Sequence, residues 1–108
     1  MKITEQANSL EAGITNLIQG LEKDYEVYDK GRGRTKEFTT ETGKKYVKVV
    51  TEGSAWGFVV INDTGKFKKG DILKASGWNA PAKNFRRGNV LEGNYIVKWY
   101  GACYIARP

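Results

Sequence analysis

The side chains of this 108-residue chain whose types and spacing suit chemistry are basic and aromatic. Residues 70–89, GDILKASGWNAPAKNFRRGN, carry Trp78, Lys83, Arg86 and Arg87 in one continuous segment. Residues 30–36, KGRGRTK, set Arg32 and Arg34 on either side of a glycine. Ammonium and guanidinium groups bond phosphate oxygens, an indole offers a flat face for stacking, and glycine lets a backbone approach a ligand closely. These ingredients suit capture of an anionic, planar ligand, with single-stranded nucleic acid as the leading class. Each also has a plainer structural counterpart. Arginines at a helix end bond its own carbonyls, a charged glycine loop is an ordinary hairpin tip, and tryptophan is more often core than platform. Trp78, between Gly77 and a turn, is the indole expected to stay exposed.

Catalytic chemistry is poorly supplied. The chain has no histidine, so the commonest general acid-base near neutral pH is missing and no Ser/His or Cys/His nucleophile pair exists. Glu52, Asp63, Asp71 and Glu92 fall in turn-like sequence, where carboxylates serve the backbone, and nothing around Lys74 marks an apolar pocket that would shift its pKa. The Gly-Arg-Gly-Arg tetrapeptide at 31–34 lacks the length and the following Lys-Ser/Thr of a Walker loop. The single cysteine, Cys103, rules out an internal disulfide, and its apolar neighbours mark it as a small buried side chain. The expectation is a non-enzyme with no catalytic residue, no metal and no cofactor.

Net charge is +6, unevenly spread: residues 1–29 hold two lysines against six acids, and residues 30–108 hold sixteen bases against six acids. An acidic leading segment on a basic body implies self-docking or a segment kept away from an anionic partner. No apolar run is long enough to span a membrane, and no charged-then-apolar leader opens the chain. A cytoplasmic protein with no membrane association is expected.

These groups must be positioned by one domain covering residues 1–108, a length sufficient for a core without disulfides or metal. Ile3, Ala7, Leu10, Ile14, Leu17 and Leu21 recur at alternating spacings of four and three, which predicts an amphipathic helix over residues 1–22. Either Thr4 caps it, or Asn8 does with Glu11 answering. The stripe covers the domain's own sheet, or it pairs with a second copy or another protein, leaving monomer and homodimer both open.

From residue 25 to 108 the body reads as β-rich. Strands are predicted over 25–28, 37–40, 45–51, 55–61, 72–75, 94–100 and 102–105, separated by Gly, Asn and Asp turns. Residues 55–61 are apolar on both faces, as a central strand requires. Pro81 and Gly88 bracket a short helical turn near 81–87, and Gly101 marks a bend rather than a hairpin. The fold class is therefore α+β: an N-terminal amphipathic helix packed on a twisted, partly closed antiparallel β-sheet or small barrel.

Between residues 43 and 108, GKKYVKVV, GSAWGF, DILKA, the Trp-Asn-Ala-Pro-Ala-Lys segment at 78–83, Arg87-Gly88-Asn89 and Trp99-Tyr100-Gly101 together form a pattern. It resembles a group of small uncharacterised proteins of tailed bacteriophages and prophages. The resemblance implies an accessory phage-type protein in the cytoplasm of a bacterial host, and it carries over no catalytic residue.

The functional expectation is binding of nucleic acid, single-stranded favoured, by Arg32, Arg34, Trp78, Lys83, Arg86 and Arg87 gathered on one basic and aromatic face. The competing expectation is a protein-interaction or inhibitor module without catalysis. It would dock an acidic host or phage protein by the N-terminal helix or the basic surface.

Overall fold

The computed structural model describes residues 1–102, so the expectations for Cys103 and the strand over 102–105 lie largely outside the described residues. In chain order the elements are β1 (Lys2–Ile3), α1 (Leu10–Asp29), β2 (Thr39–Thr42), β3 (Tyr46–Thr51), β4 (Ser54–Val60), β5 (Ile72–Gly77), β6 (Ala80–Pro81), β7 (Tyr95–Lys98) and β8 (Gly101–Ala102). Five strands form an antiparallel sheet in the order β2-β3-β4-β5-β6, and a smaller sheet has the order β1-β7-β8. The class is α+β, with one helix leading. The large sheet does not close into a barrel, which corrects the small-barrel alternative.

The helix begins later and ends later than the stripe predicted. Ser9, extended at φ −143° and ψ 156°, is the N-cap, and its Oγ accepts the Ala12 amide at 3.1 Å. Neither Thr4 nor Asn8 takes that place. Ile3, at the head of the predicted stripe, is a strand residue paired with Tyr95, yet it enters the same core as the helix. At the other end, residues 25–28 continue the helix instead of forming a strand. Tyr25 and Tyr28 stand one turn apart with ring centroids at 5.7 Å, and Lys30 closes the helix in a left-handed conformation at φ 54°.

Leu17 and Leu21 are fully buried, and with Ile14 they pack against Val47 and Val49 of β3, Trp56 and Val59 of β4 and Ile72 of β5. The stripe thus docks on the protein's own sheet. Truncating either leucine to alanine would cost about 2–5 kcal/mol. Side chains alternate along a strand, so Phe58, Val60 and Leu73 face the opposite side, where Phe67 and half-buried Tyr46, Ala55 and Ala75 join them. Burial on both faces is why β4 lies at the middle of the sheet.

Two further expectations are corrected. Residues 81–87 contain no helical turn: Ala82 N–H donates to the Lys74 carbonyl and Arg87 N–H to the Ile72 carbonyl, both at 2.7 Å, so the segment runs extended along β5. Residues 95–102 make a hairpin with Trp99 and Tyr100 at its turn and Lys98 opposite Gly101, in place of a bend at the glycine.

Candidate nucleic-acid interface

The face of the large sheet turned away from α1 is built by the alternation of β3. Tyr46 lies opposite Val60 and Lys48 opposite Phe58, and cross-strand partners share a face. Lys48 reaches over this surface. Its Nζ donates to Asn79 Oδ1 at 2.6 Å, lies 3.7 Å from Glu41 Oε1, and stands 3.7 Å from the centroid of the Trp78 ring. Trp78 and Asn79 form the turn between β5 and β6, so one lysine ties that turn down onto the middle of the sheet. Trp78 remains 44% exposed, whereas Trp56 is buried with its Nε1 donating to the Lys98 carbonyl.

Beside this anchor runs a two-part cleft. One part, about 290 Å³, is lined by Gly43, Lys44, Lys45, Tyr46, Lys48 and Asn79 among others. The other, about 480 Å³, shares Lys44, Lys45 and Tyr46 and adds Lys66, Phe67 and Lys83. The Lys66 ammonium donates to the Lys83 carbonyl, which closes the far wall. Lys44, Lys45, Lys66 and Lys83 enter no ion pair among the described residues. Two carboxylates line the cleft: Glu41 faces Lys48, and Asp63 accepts the Lys69 amide at 2.7 Å. Five lysines around half-buried Tyr46, with Phe67 buried in the wall beneath, therefore produce a local excess of positive charge.

The six residues singled out from sequence do not form one face. Trp78 and Lys83 belong to the outer surface. Arg86 is committed elsewhere: its NH1 bonds Asp71 Oδ1 at 3.1 Å and both Glu92 oxygens at 3.1 and 3.2 Å. Burial opposes the Arg86 charge, but the hydrogen bonds to Glu92 and Asp71 outweigh it and hold the guanidinium above its ordinary pKa. Arg87 is buried, with its guanidinium 4.5 Å from the Phe85 ring centroid, which takes it out of any surface patch. Arg34 is held against the end of α1, its Nε 2.6 Å from Asp29 Oδ1 and its amide 3.0 Å from Oδ2. Burial pushes Asp29 up, and the hydrogen bonds from Arg34 outweigh it to hold the carboxyl below the usual aspartate value. Arg32 is exposed on the same loop, just past the C-terminal end of α1.

Sequence reasoning passed over Lys44, Lys45 and Lys66. The available signal was local: Lys44-Lys45 precedes Tyr46 and Lys66 precedes Phe67, each a base against an aromatic at a turn. Among the described residues no group of three or more His, Cys, Asp or Glu side chains is placed to hold a metal ion, and no helix is long and apolar enough to cross a membrane.

A family model matches residues 2–103. The chain belongs to DUF7717, a family of unknown function. No curated protein and no solved structure matches it. Membership in DUF7717 brings no residue roles, so the chemistry of the outer face stands on its own geometry.

Proposed function

We propose that the outer face of the five-stranded sheet binds single-stranded nucleic acid without catalysing a reaction on it. A base stacks at Trp78, and the phosphates follow Lys44, Lys45, Lys66 and Lys83. The observation that carries this reading is the pair of adjoining pockets, sharing Lys44, Lys45 and Tyr46, in which those four lysines, free of ion pairs among the described residues, surround half-buried Tyr46 near a half-exposed indole. Single strands are favoured over duplex because a stacking platform needs an unstacked base, and base–aromatic stacking contributes about 1–3 kcal/mol per base. The setting we propose is an accessory protein of a tailed phage or prophage in the bacterial cytoplasm, supported by the resemblance over residues 43–108. The absence of histidine in the sequence supports binding in place of acid-base catalysis.

The test is a tryptophan-fluorescence titration with oligothymidylate. Quenching is expected for the native protein, and Lys44→Glu with Lys45→Glu should weaken binding by at least about tenfold through two lost phosphate contacts and two repulsive charges. Equal affinity in the two proteins would contradict the reading.

A further inference from the structure

The loop of residues 30–36 and the aromatic cluster next to it take no part in the outer cleft. Lys30 at φ 54° and Gly31 at φ 75° turn the chain sharply off the end of α1, and Arg34 on Asp29 fixes the return. Rings gather beside that loop. Trp99 lies 5.2 Å from Tyr25, 4.9 Å from Tyr28 and 5.4 Å from Tyr100, centroid to centroid. Lys36 Nζ stands 5.1 Å from the Trp99 ring and pairs with Glu52 at 3.1 Å. Trp99 is half-buried by this company, but Tyr28 and Tyr100 are 54% and 71% exposed. Lys30 and Arg32 are exposed and enter no ion pair among the described residues.

We infer that this helix-end surface is a second contact point for the same single strand, with Tyr28 and Tyr100 as stacking faces and Lys30 and Arg32 on phosphates. The inference rests on the reading of the outer cleft as a nucleic-acid site. Cations at every second position of the loop match a repeating backbone charge better than a lone carboxylate, and exposed tyrosine rings accept any base. The sheet separates the two surfaces, since Lys48 and Tyr46 face one side and α1 covers the other. A strand must pass around an edge to touch both. Short oligomers therefore occupy one surface, and longer ones gain affinity through effective concentration, by up to about 10²-fold.

The indoles separate the two events. In Trp78→Phe protein, Trp99 is the tryptophan that senses the helix-end surface, because Trp56 is buried. The probes are oligothymidylates of about 6 and about 24 nucleotides, chosen around typical site sizes of roughly 4–16. The long oligomer is expected to change Trp99 emission in that variant. Arg32→Gln with Tyr100→Ser, both at exposed positions, should weaken the long oligomer several-fold and lower its log–log salt slope by about 0.7. The short oligomer should keep its affinity for the outer cleft in that double variant. Unchanged Trp99 emission, while the long oligomer saturates the Trp78 signal of the native protein, would overturn the second contact and leave the outer cleft standing. Silence at both indoles would overturn both.

Discussion

The ammonium of Lys48 sits 3.7 Å above the Trp78 ring while bonding Asn79, the next residue of the same turn. A side chain in the middle of β3 thereby sets the orientation of the one tryptophan that solvent reaches freely. Lys48→Met keeps the apolar stem and removes both interactions. The expected loss is about 1–2 kcal/mol in urea unfolding, with faster amide exchange at residues 78 and 79. Unchanged exchange there would show that the turn does not depend on Lys48.

Asp71, directly before β5 and bridged to Asn89, is a buried charge of a different kind. Its carboxylate accepts the Lys68 amide at 2.8 Å, Asn89 Nδ2 at 2.9 Å and Arg86 NH1 at 3.1 Å. Asp71→Ala leaves the Lys68 amide without its acceptor and removes one acceptor each from Asn89, which keeps the Lys69 carbonyl, and Arg86, which keeps Glu92, in a site only 2% exposed, so about 1–3 kcal/mol of stability should be lost. Arg86→Gln should lower stability by a smaller amount and leave oligonucleotide affinity as it was, because Arg86 serves the fold. A fall in affinity comparable to that of the Lys44/Lys45 variant would return Arg86 to the binding surface.

Tyr95 is 1% exposed, and its hydroxyl has no hydrogen-bond partner among the described residues. Burial, with a further contribution from the Glu5 charge, holds its pKa well above the ordinary tyrosine value near 10. The folded state keeps the proton longer than the unfolded state, so this contribution to stability is complete below about pH 10 and declines as pH rises further. Tyr95→Phe should be stabilising by about 1 kcal/mol at neutral pH, by removing an unsatisfied hydroxyl. Its alkaline unfolding should also begin at higher pH. Circular dichroism melts across pH 8–12 check both, and a destabilised phenylalanine variant would contradict the account.

Glycine inside a helix is usually improved by alanine, by about 1 kcal/mol. Gly13 of α1 should behave the other way. A Cβ there would lie 2.7 Å from the Val90 carbonyl oxygen and 2.9 Å from Val90 Cγ2, too close for the backbone to accept without shifting the helix from the sheet. Gly13→Ala should lower the thermal midpoint, and a raised midpoint would show that α1 can slide outward without loss.

Some of this was legible in the sequence and some was not, for physical reasons. Residues 55–61, apolar on both faces, lead directly to β4 at the centre of the sheet, and the spacing of Ile14, Leu17 and Leu21 leads directly to α1. Ile3 misled because an apolar residue entering the core from a strand has the same spacing as one on the helix stripe. Arg86 and Arg87 misled because their partners, Asp71 and Phe85 among them, are set by how residues 82–88 run along β5. Periodicity carries no information about such tertiary pairings. The cleft was hidden for a similar reason, since Lys44, Lys66 and Lys83 meet only once three separate loops are folded together.

The most direct measurement is the salt dependence of affinity for an oligothymidylate of about 6 nucleotides, short enough to occupy the outer cleft alone, compared between the native protein and the variant Lys44→Gln, Lys45→Gln, Lys66→Gln, Lys83→Gln. With about four phosphates neutralised, the native protein should show a log–log slope near −3, and the variant should approach zero. Parallel slopes of equal size in the two proteins would contradict the claim that this cleft is where the strand binds.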